Sequence, residues 1–394
     1  MLKNKKILIG ISGGIAAYKI VDVVSRLRQS NAIVKVIMTE HSKNFIHPLT
    51  FQTISGNKVA NDLFSEITSF YGKVEHISLS DWPDLFLIAP ATANIIGKVA
   101  NGIADDLLST VIIATKVKTV FAPSMNVKMY ENVIVQQNIA KLKELGYFFI
   151  RPDKGHLACG YEGLGRLPQP KVIVDYVKVL SNYSYDLTNT KILVTAGATR
   201  EYWDEVRCIT NDSSGKMGYA IAQSAAIRGA KVTLISGQTS LSNPKGVDVK
   251  QVISAKEMYD AVMQYNKDSD IIIMTAAVAD YKFAEQIKGK MKKKNKISVK
   301  LVSTIDTLKK LGSIKRQGQI LVGFAAEMEH LKKYAMIKMQ EKNLDMIIAN
   351  DISIAGQDNT SFTIFSKTVK NSFVNIPKFQ AANLILDEIK NLNV

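Results

Sequence analysis

A glycine-rich segment near the start of the chain is the first place where the residue types suggest ligand chemistry. GISGGIAAYK (Gly10–Lys19) follows a short apolar run and precedes an amphipathic stretch. Glycines permit a tight turn and a close approach to phosphate, and the free amides at a helix start attract anions. The strict GxGxxG pattern is absent, and Met38-Thr39 stands where an acidic residue would close the second strand. The pattern therefore favours a mononucleotide over NAD.

Further polar side chains of this half also follow predicted strands. Thr92 and Asn94 lie in APATAN after one apolar run, and Asn126 lies in PSMNVKMY after the next. Ligands of open α/β sheets bind at the carboxyl ends of the strands, where these residues would lie. Threonine and asparagine are also good helix caps, so a purely structural role is the alternative.

Two side chains of the first half could transfer protons. His76, in VEHISLS, titrates near neutral pH. Cys159 lies in the glycine-rich loop ACGYEGLGRLP, and an unperturbed thiol is mostly protonated at pH 7, which suits a proton donor. Nucleophilic work would need activation, for which His156 is the nearby candidate. Each residue has a structural alternative, a histidine without special function or a small buried cysteine.

The second half again shows a strand, a glycine turn and a donor-rich segment. VTAGATREYWDEVR leads into ITNDSSGKMG, where Asn211 and Lys216 accompany hydroxyls and glycines that suit a phosphate, although no Walker A pattern is present. Asp280, in TAAVADY, could bind Mg²⁺ or a nucleotide hydroxyl. The segment 282–300 holds eight lysines, Lys290 among them, and one acid. Such a run is usually a solvated loop, but here it follows a strand end and could close over a nucleotide.

The elements that position these residues alternate between short apolar runs and longer amphipathic stretches. The predicted strands are Lys5–Gly10, Ile33–Met38, Leu85–Ala89, Thr119–Ala122, Lys191–Thr195, Lys231–Ile235, Asp270–Thr275, Gln319–Phe324 and Asp345–Ala349. The predicted helices are Ile15–Gln29, Leu107–Ala114, Val133–Leu145, Gly218–Arg228, Lys256–Tyr265, His330–Lys342 and Asn383–Ile389. The alternation predicts an α/β protein made of two consecutive Rossmann-like domains with parallel sheets. The polar segment Ser181–Thr190 predicts a linker, so we expect domains at 1–188 and 189–394.

Composition limits the class of protein and its partners. The 394 residues carry a formal net charge of +16 and only two cysteines. The basic excess suits phosphorylated small molecules or reflects a lysine-rich surface, and no basic motif points to nucleic acid. The low cysteine content argues against a disulfide framework and fits a cytoplasmic protein. No apolar run approaches the roughly 20 residues of a membrane span, so no membrane partner is expected.

The motifs of the first half share their order with a known family. SGGIAAYK, His76, APATAN, P-x-MN-x-x-MY and ACG-x5-GR resemble the flavin-dependent cysteine decarboxylases, most closely the phosphopantothenoylcysteine decarboxylases. The resemblance implies a flavodoxin-like, homo-oligomeric fold, with His76 as base, Asn126 as binder of the substrate carboxylate and Cys159 as acid in the final reduction. The FMN contacts that it implies are Gly10, Ser12, Gly13, Gly14, Thr39, Thr92, Asn94 and Ser109. Asp105 departs from the family's usual asparagine and replaces amide donors by acceptors.

The motifs of the second half resemble a ligase family. NxSSGKMG, AAVADY and KN-L-D-x-I-x-AND together resemble the phosphopantothenoylcysteine synthetases. The resemblance implies CTP as co-substrate, Mg²⁺ with Asp280 as its candidate ligand, and catalytic roles for Asn211 and Lys290. The CTP contacts that it implies are Ala276, Asp280, Lys290, Asp306, Phe324, Lys338 and Lys342. The segment Thr304–Thr307 lacks the proline that the family usually has before its aspartate.

Together the resemblances imply an enzyme of coenzyme A biosynthesis. It would ligate cysteine to 4'-phosphopantothenate and then decarboxylate the product. By analogy, trimeric decarboxylase halves and dimeric ligase halves would form a homo-oligomer as large as a dodecamer. The alternative is a flavoprotein of the prenyl-FMN-forming type fused to a non-catalytic nucleotide-binding domain, which does not account for His76 or the ACG loop. A decayed regulatory protein is disfavoured by Cys159 and Lys290, and a dehydrogenase by the missing acidic residue.

Overall fold

The chain forms two compact units, Met1–Ser184 and Tyr185–Val394. The computed structural model describes residues 1–63, 75–156, 160, 162–293, 295–327, 331–351, 357–367 and 369–392. None of the helices in these ranges combines the length and the apolar character that crossing a membrane would take.

The first unit is an α/β unit with a central sheet and a separate hairpin. Its strands are β1 (Lys6–Ile11), β2 (Ile33–Met38), β3 (Leu85–Ala91), β4 (Thr119–Pro123), β5 (Phe148–Phe149), β6 (Asp153–His156) and β7 (Glu162–Arg166). A 3₁₀ turn (Ile15–Lys19) leads into the first helix, and the helices are α1 (Ile20–Gln29), α2 (Glu40–Lys43), α3 (Pro48–Ser55), α4 (Glu75–Asp81), α5 (Ala93–Ala100), α6 (Leu107–Ala114), α7 (Val127–Tyr130), α8 (Val133–Glu144) and α9 (Pro170–Leu180).

The sheet of the first unit has the flavodoxin-like strand order. The order is β2-β1-β3-β4-β5, and the neighbouring strands run parallel. The central strands β1 and β3 are almost entirely apolar and buried because helices cover both faces of the sheet. The chain changes direction across the sheet between β1 and β3, and the carboxyl ends of these two strands therefore form the switch point where such folds bind ligands.

The second unit is built around a larger sheet. Its strands are β8 (Lys191–Ala196), β9 (Arg200–Tyr202), β10 (Cys208–Thr210), β11 (Lys231–Ser236), β12 (Val247–Gln251), β13 (Ile271–Met274), β14 (Tyr281–Phe283), β15 (Leu301–Ser303), β16 (Ile320–Glu327), β17 (Met346–Asp351), β18 (Asn359–Ser366) and β19 (Lys370–Pro377). Its helices are α10 (Lys216–Ile227), α11 (Ala255–Asn266), α12 (Thr307–Ser313), α13 (Leu331–Glu341) and α14 (Lys378–Lys390).

The order β12-β11-β8-β13-β16-β17 in this sheet is the Rossmann order 3-2-1-4-5-6. All five pairings among these strands are parallel, whereas β18 and β19 extend the sheet in antiparallel fashion. The strands β9 and β10 form a small hairpin beside the sheet, and β14 and β15 form another.

The expected fold class is confirmed in both units, and most predicted elements lie within a few residues of their observed bounds. The sequence did not predict β18 and β19, because their alternating and exposed residues lack the continuous apolar run of a buried parallel strand. It also missed the helices α3, α5, α9 and α12 and the strand β12, as well as several shorter elements. The start of the predicted helix at Ile15 is a 3₁₀ turn.

Candidate functional site

One serine hydroxyl links the loops that follow β1 and β3. Ser12 Oγ donates to the Pro90 carbonyl oxygen over 2.6 Å and lies 3.1 Å from Thr92 Oγ1. The backbone N–H of Thr92 donates to Ser12 Oγ over 3.1 Å. Ser12 is buried, so water competes little with these bonds. The glycine turn and the first turn of α5 are therefore fixed to each other at the switch point of the sheet.

A cavity of about 840 Å³ opens beside this link. That volume suits a cofactor-sized ligand. The sequence-predicted residues that line it are Ser12, Gly13, Gly14, Thr39, Thr92, Asn94 and Asn126. Lining residues that sequence reasoning missed include His41, Phe45, Lys98, Asp106, Met125 and Met129. His41 lies three residues after the end of a predicted strand, which is a usable signal, whereas the others reach the cavity only through the packing of α2, α5, α6 and α7.

The two glycines of the turn meet different surroundings. A Cβ atom at Gly13 would lie 2.6 Å from the Cβ of His41 and 3.1 Å from its backbone carbon. A Cβ atom at Gly14 would come no closer than 3.5 Å to its nearest neighbour, the Cγ2 of Thr92. Gly13 is therefore required for the turn to pack against the start of α2, and packing alone does not require Gly14.

Thr39 presents a buried hydroxyl to the same cavity. Its Oγ1 has no hydrogen-bond partner among the described residues, although Thr39 occupies the N-cap position of α2. A buried polar atom without a partner costs about 1–3 kcal/mol. A polar group of a ligand in the cavity could supply the missing partner, and this orphaned hydroxyl is thus the strongest local sign of a bound group.

Asn126 is held where the β6–β7 hairpin meets the cavity wall. Its Oδ1 accepts the backbone N–H of Lys128 over 2.8 Å as the N-cap of α7. The N–H of Met125 donates to the Gly165 carbonyl over 3.0 Å. A Cβ atom at Gly165 would lie 2.3 Å from the Met125 carbonyl oxygen, so the hairpin can approach this closely only with glycine. Cys159 lies between β6 and β7 in sequence, outside the described residues.

The structure places three other sequence-predicted residues away from the cavity lining. Gly10 lies within β1, where a Cβ atom would be 2.3 Å from Leu108 Cδ1, so it allows α6 to pack on the sheet. Ser109 is fully buried and closes a capping box with Asp106 at the start of α6. His76 lies on α4, and its Nδ1 is buried without a hydrogen-bond partner in the part of the chain that the structure describes.

Asp105 pairs with a lysine of the cavity wall. Lys98 Nζ lies 2.7 Å from Asp105 Oδ1 and 3.0 Å from Asp106 Oδ2. The hydrogen bond from Lys98 lowers the pKa of Asp105. Burial lowers the pKa of Lys98, but the two carboxylates outweigh it and raise that pKa above its usual value. The acidic residue at position 105 thus neutralises part of the charge of Lys98.

A cavity of about 460 Å³ lies at the carboxyl ends of β13 and β16 in the second unit. Its walls include Ala276, Asp280, Asp306, Phe324, Lys338 and Lys342. These are all the residues expected to contact CTP except Lys290. Tyr281 and Ser303 also line it, so both ends of the β14–β15 hairpin lie at this cavity.

Three of the charged groups of this cavity, those of Asp306, Lys338 and Lys342, are paired with one another or with the backbone. Lys342 Nζ lies 2.8 Å from Asp306 Oδ2, and Lys338 Nζ donates to the Phe324 carbonyl over 2.9 Å. Asp306 Oδ1 also accepts the N–H of Lys309 as the N-cap of α12. Burial raises the pKa of Asp306, but these donors outweigh it and hold that pKa below its usual value. The wall of the cavity therefore carries two lysine ammonium groups.

The segment that lacks the family's proline is well anchored. Thr304 Oγ1 donates to the Ala279 carbonyl over 2.6 Å, and its N–H donates to the Asp280 carbonyl over 2.9 Å. These bonds join the residues before α12 to the segment after β13. Asp306 therefore reaches the cavity without help from a proline.

The remaining predicted residues of this unit are absent from the lining of the cavity. Asn211 Nδ2 donates over 3.1 Å to the carbonyl of Val278, which does line it. Lys216 Nζ lies 2.7 Å from Asp358 Oδ1. Lys290 is exposed on the loop between β14 and β15.

The folds and cavities define a two-unit α/β protein, with a flavodoxin-like half and a Rossmann-like half that each offer a cavity at the strand ends. Residues 1–182 match the family model described as Flavoprotein. Residues 187–392 match the model described as DNA/pantothenate metabolism flavoprotein C-terminal domain.

Relatives of known name match along the whole chain. The coenzyme A biosynthesis bifunctional protein CoaBC of Bacillus subtilis (strain 168) is 45% identical over 402 residues, which cover 100% of this chain and 98% of that protein. The protein of the same name from Escherichia coli (strain K12) is 41% identical over 396 residues, covering 98% and 97%. The chain therefore belongs to the family of coenzyme A biosynthesis bifunctional proteins. It is a flavoprotein decarboxylase joined to a ligase, as the resemblances implied, and the prenyl-FMN alternative is not favoured.

Solved structures resemble the two halves separately. The C-terminal domain of a coenzyme A biosynthesis bifunctional protein CoaBC is 41% identical and covers 53% of this chain and 98% of that chain, with a TM-score of 0.47. A PPC decarboxylase variant complexed with pantothenoylaminoethenethiol is 31% identical and covers 45% and 98%, with a TM-score of 0.41.

Proposed function

We propose that the second domain, residues 189–394, joins 4'-phosphopantothenate to cysteine with CTP and Mg²⁺, and that the first, residues 1–188, decarboxylates the product with FMN. The observation that carries this proposal is the gathering of the expected ligand residues around one cavity in each unit. Seven residues expected for FMN or substrate line the first cavity, and six expected for CTP line the second.

The first cavity fits FMN by the chemistry of its donors. Ser12, Thr39 and Thr92 supply hydroxyls, and the turn at Gly13 and Gly14 supplies backbone N–H groups suited to a phosphate. The orphaned Thr39 hydroxyl gains a partner when such a ligand is present. Bound FMN would supply a reversible two-electron acceptor for the cysteinyl end of the substrate.

The protein's own groups orient the substrate and handle its protons. The side-chain amide of Asn126 lies at the cavity, where it would hold the substrate carboxylate until CO₂ leaves. His76 would accept a proton, and Cys159 would return one in the final reduction. Phe45 and Met129 line the cavity as well and would keep water from the reacting atoms.

The ligase reaction is a carboxylate activation followed by amide formation. The carboxylate of 4'-phosphopantothenate attacks the α-phosphorus of CTP, and the bond to pyrophosphate breaks. The cysteine amine then attacks the acyl carbon of the acyl-cytidylate and expels CMP. Lys290, Lys338 and Lys342 would neutralise the phosphates, and Asn211 would position the acyl-cytidylate. Asp280 would give Mg²⁺ one protein ligand, with phosphate oxygens and water completing the shell.

Self-association is part of the proposal, and the rim of the first cavity supports it. Ile15, Phe45 and Met129 are 56%, 46% and 49% exposed there. Exposed apolar side chains grouped in this way favour a subunit contact. We propose a cytoplasmic homo-oligomer with trimeric decarboxylase halves and dimeric ligase halves. Native mass spectrometry should detect a species larger than the single chain, and a monomer at all concentrations would rule this arrangement out.

Product formation tests the whole proposal. Full-length protein with FMN, Mg²⁺, CTP, cysteine and 4'-phosphopantothenate should yield 4'-phosphopantetheine by mass detection. A parallel reaction with ATP checks the choice of nucleotide, and one without cysteine should stop after pyrophosphate release. Absence of 4'-phosphopantetheine, with 4'-phosphopantothenoylcysteine also unconverted when supplied directly, would refute the proposal.

Two variants separate the half-reactions. Lys290→Gln should lose CTP-dependent pyrophosphate release while it still decarboxylates supplied 4'-phosphopantothenoylcysteine. Cys159→Ser should release CO₂ but fail to form 4'-phosphopantetheine. Wild-type rates of both products in these variants would remove the two residues from their roles.

A further inference from the structure

The loop that carries Lys290 is fastened to a turn elsewhere in the second unit. We call the residues Trp203–Arg207, which connect β9 to β10, the docking turn. The N–H of Met291 donates to Asp204 Oδ2 over 3.2 Å, and Arg207 Nη1 donates to the Met291 carbonyl over 3.2 Å. Both backbone groups of the residue next to Lys290 are therefore held by one acid–base pair.

Three further contacts tie the preceding part of the loop to the same turn. The N–H of Ile287 donates to the Trp203 carbonyl over 2.8 Å. The N–H of Gly289 donates to Glu205 Oε1 over 3.3 Å. The rings of Trp203 and Phe283 stack with centroids 5.8 Å apart. The loop is thus docked from its base at β14 to the residue that follows Lys290.

Asp204 is the centre of this attachment. Its side chain is fully buried, and its Oδ1 accepts the N–H groups of Val206 and Arg207 over 2.8 and 2.6 Å. Its Oδ2 accepts from Arg207 Nη1 over 2.6 Å and from Met291. Burial raises the pKa of Asp204, but these donors more than offset it and lower that pKa to about 2. The carboxylate is therefore ionised at neutral pH.

A long loop without attachments loses conformational freedom when a ligand orders it. Here both ends of the β14–β15 hairpin lie at the 460 Å³ cavity, while the middle of its loop is already fixed on the docking turn. Fixing the loop in advance reduces the entropy that must be lost when Lys290 contacts the phosphates in the transition state of carboxylate activation, so the benefit is expected in kcat rather than in KM.

We propose that Asp204 is a positioning residue of the ligase, which holds the loop so that Lys290 is presented to the nucleotide during carboxylate activation. The inference rests on the proposed function, because Lys290 matters only if the second cavity takes a nucleotide triphosphate. Asp204 is absent from the lining of the 460 Å³ cavity, so we expect it to act on the nucleotide through the loop rather than directly. It lines instead a cavity of about 520 Å³ whose walls come from the docking turn, the adjoining Tyr202 and residues 286–288 of the loop.

Asp204→Asn in the full-length protein tests this role. Asparagine keeps the size of the side chain but turns an amide donor or a weaker acceptor toward Met291 and Arg207. We expect kcat for CTP-dependent pyrophosphate release to fall about tenfold or more while KM for CTP changes by less than about twofold, because the cavity residues are unaltered. Trypsin should cut the lysine-rich loop faster than in wild type. Asp260→Asn, which removes an exposed carboxylate of α11, is the matched control and should match wild type.

Met291→Pro probes the same attachment from the loop side. It removes the N–H that Asp204 accepts but leaves the buried carboxylate with Arg207 and Val206, so the unit keeps its fold even if Asp204→Asn does not. The same fall in kcat is expected, whereas Lys296→Pro, farther along the loop, should cause a smaller loss. Decarboxylation of supplied 4'-phosphopantothenoylcysteine should persist in every variant.

The possible results are distinct. Wild-type kcat in both Asp204→Asn and Met291→Pro would overturn the inference, and so would a rise in KM without a fall in kcat. Equal losses of ligase and decarboxylase activity would reveal general unfolding and would overturn it as well. Absence of CTP-dependent pyrophosphate release from the wild-type protein would instead refute the proposed ligase function.

Discussion

The two candidate ligand cavities of this protein present their binding groups by different physical means. The first, of about 840 Å³, is lined mainly by hydroxyls, glycine backbone and apolar side chains, and its Lys98 is paired with Asp106. The second, of about 460 Å³, is smaller and lined by two acids and two lysines, Asp280, Asp306, Lys338 and Lys342. Neutral contacts therefore predominate in the first site beside one paired lysine, whereas the second carries the ion pair of Lys342 and Asp306 at its wall.

This difference suits the two proposed ligands. A cofactor that stays bound over many turnovers benefits from rigid donors, because little has to rearrange when it binds. A nucleotide that is consumed in every turnover can displace Asp306 from Lys342, so the lysine exchanges one anion for another. The Lys342 ammonium group is therefore never without a counter-charge, which limits the free-energy cost of each cycle.

Gly13→Ala should produce the largest effect and tests the claim that the first cavity depends on close backbone packing. The new Cβ would lie 2.6 Å from the Cβ of His41. Only a shift of the turn can relieve this close contact. We expect FMN affinity to fall about 100-fold or more, measured by quenching of flavin fluorescence. Gly14→Ala should keep the melting temperature of the flavin-free protein, since its Cβ meets nothing closer than 3.5 Å. FMN affinity close to wild type in Gly13→Ala would contradict the packing argument.

Asp175→Asn should give the next largest effect, because it removes a buried carboxylate that is costly to ionise. The two units differ in this respect, since the pKa is raised at Asp175 and lowered at Asp204. Burial raises the pKa of Asp175 to about 6, despite Lys178, Lys171 and Arg26 nearby. Unfolding restores an ordinary pKa, so stability is lost as pH rises from about 4 to 6, by roughly 3 kcal/mol at most. Asparagine should restore about 2 kcal/mol at pH 7.5 and almost nothing at pH 4, in denaturation followed by flavin fluorescence. Equal gains at both pH values would show that the carboxylate charge is not the cause.

Asp204 of the second unit provides the contrast with Asp175. Its pKa is lowered to about 2 because N–H donors and a guanidinium outweigh the effect of burial. An acid with a lowered pKa contributes stability above its unfolded pKa and loses it as pH falls toward the folded value. Acidification toward the pKa of Asp204 should therefore protonate this carboxylate and weaken its contacts in the second unit. At that pH Asp175 of the first unit is already protonated, so its ionisation no longer destabilises the fold.

The sequence was sufficient for the parts of the molecule that are continuous along the chain. The apolar strands, the turn at Gly13 and the strand-end residues Thr92 and Asn126 are local patterns, and the structure places the last three at one cavity. Residue type could not separate binding from packing at Gly10 and Ser109, which the structure gives packing and capping contacts. Their expected contact with FMN stays a prediction.

Long-range pairing is what the sequence could not supply. The pairing of Asp105 with Lys98 depends on how α5 meets the residues before α6, and the attachment of Met291 to Asp204 joins residues 87 positions apart. Neither pair has a spacing that local periodicity reveals. The antiparallel strands β18 and β19 were not predicted for a related reason. They are defined by the pairing of β18 with β17 and of β19 with β18.

Lys342→Met tests the claim that, at the second cavity, a lysine exchanges its carboxylate partner for a phosphate of the nucleotide. Methionine keeps most of the apolar stem and removes the cation that Asp306 pairs with. We expect KM for CTP to rise about tenfold, and the dependence of KM on salt to weaken, since one phosphate contact is lost. Lys250→Met, which breaks an exposed pair with Asp248 elsewhere in the unit, should leave both unchanged. An unaltered salt dependence in Lys342→Met would mean that Lys342 serves the fold rather than the nucleotide.

Thr39→Val should have the smallest effect, but it should change stability and FMN affinity in opposite directions. Valine has nearly the same shape but removes a buried Oγ1 that lacks a partner in the described structure. Without flavin, the variant should therefore be more stable by about 1 kcal/mol, whereas FMN affinity should fall by about fivefold because the ligand loses a hydrogen bond. Denaturation of the flavin-free protein and fluorescence titration measure the two quantities, with the exposed Thr53→Val as control. If stability and affinity both fell, Thr39 would be a structural residue, and the best local evidence that this cavity completes its hydrogen bonds with a cofactor would be gone.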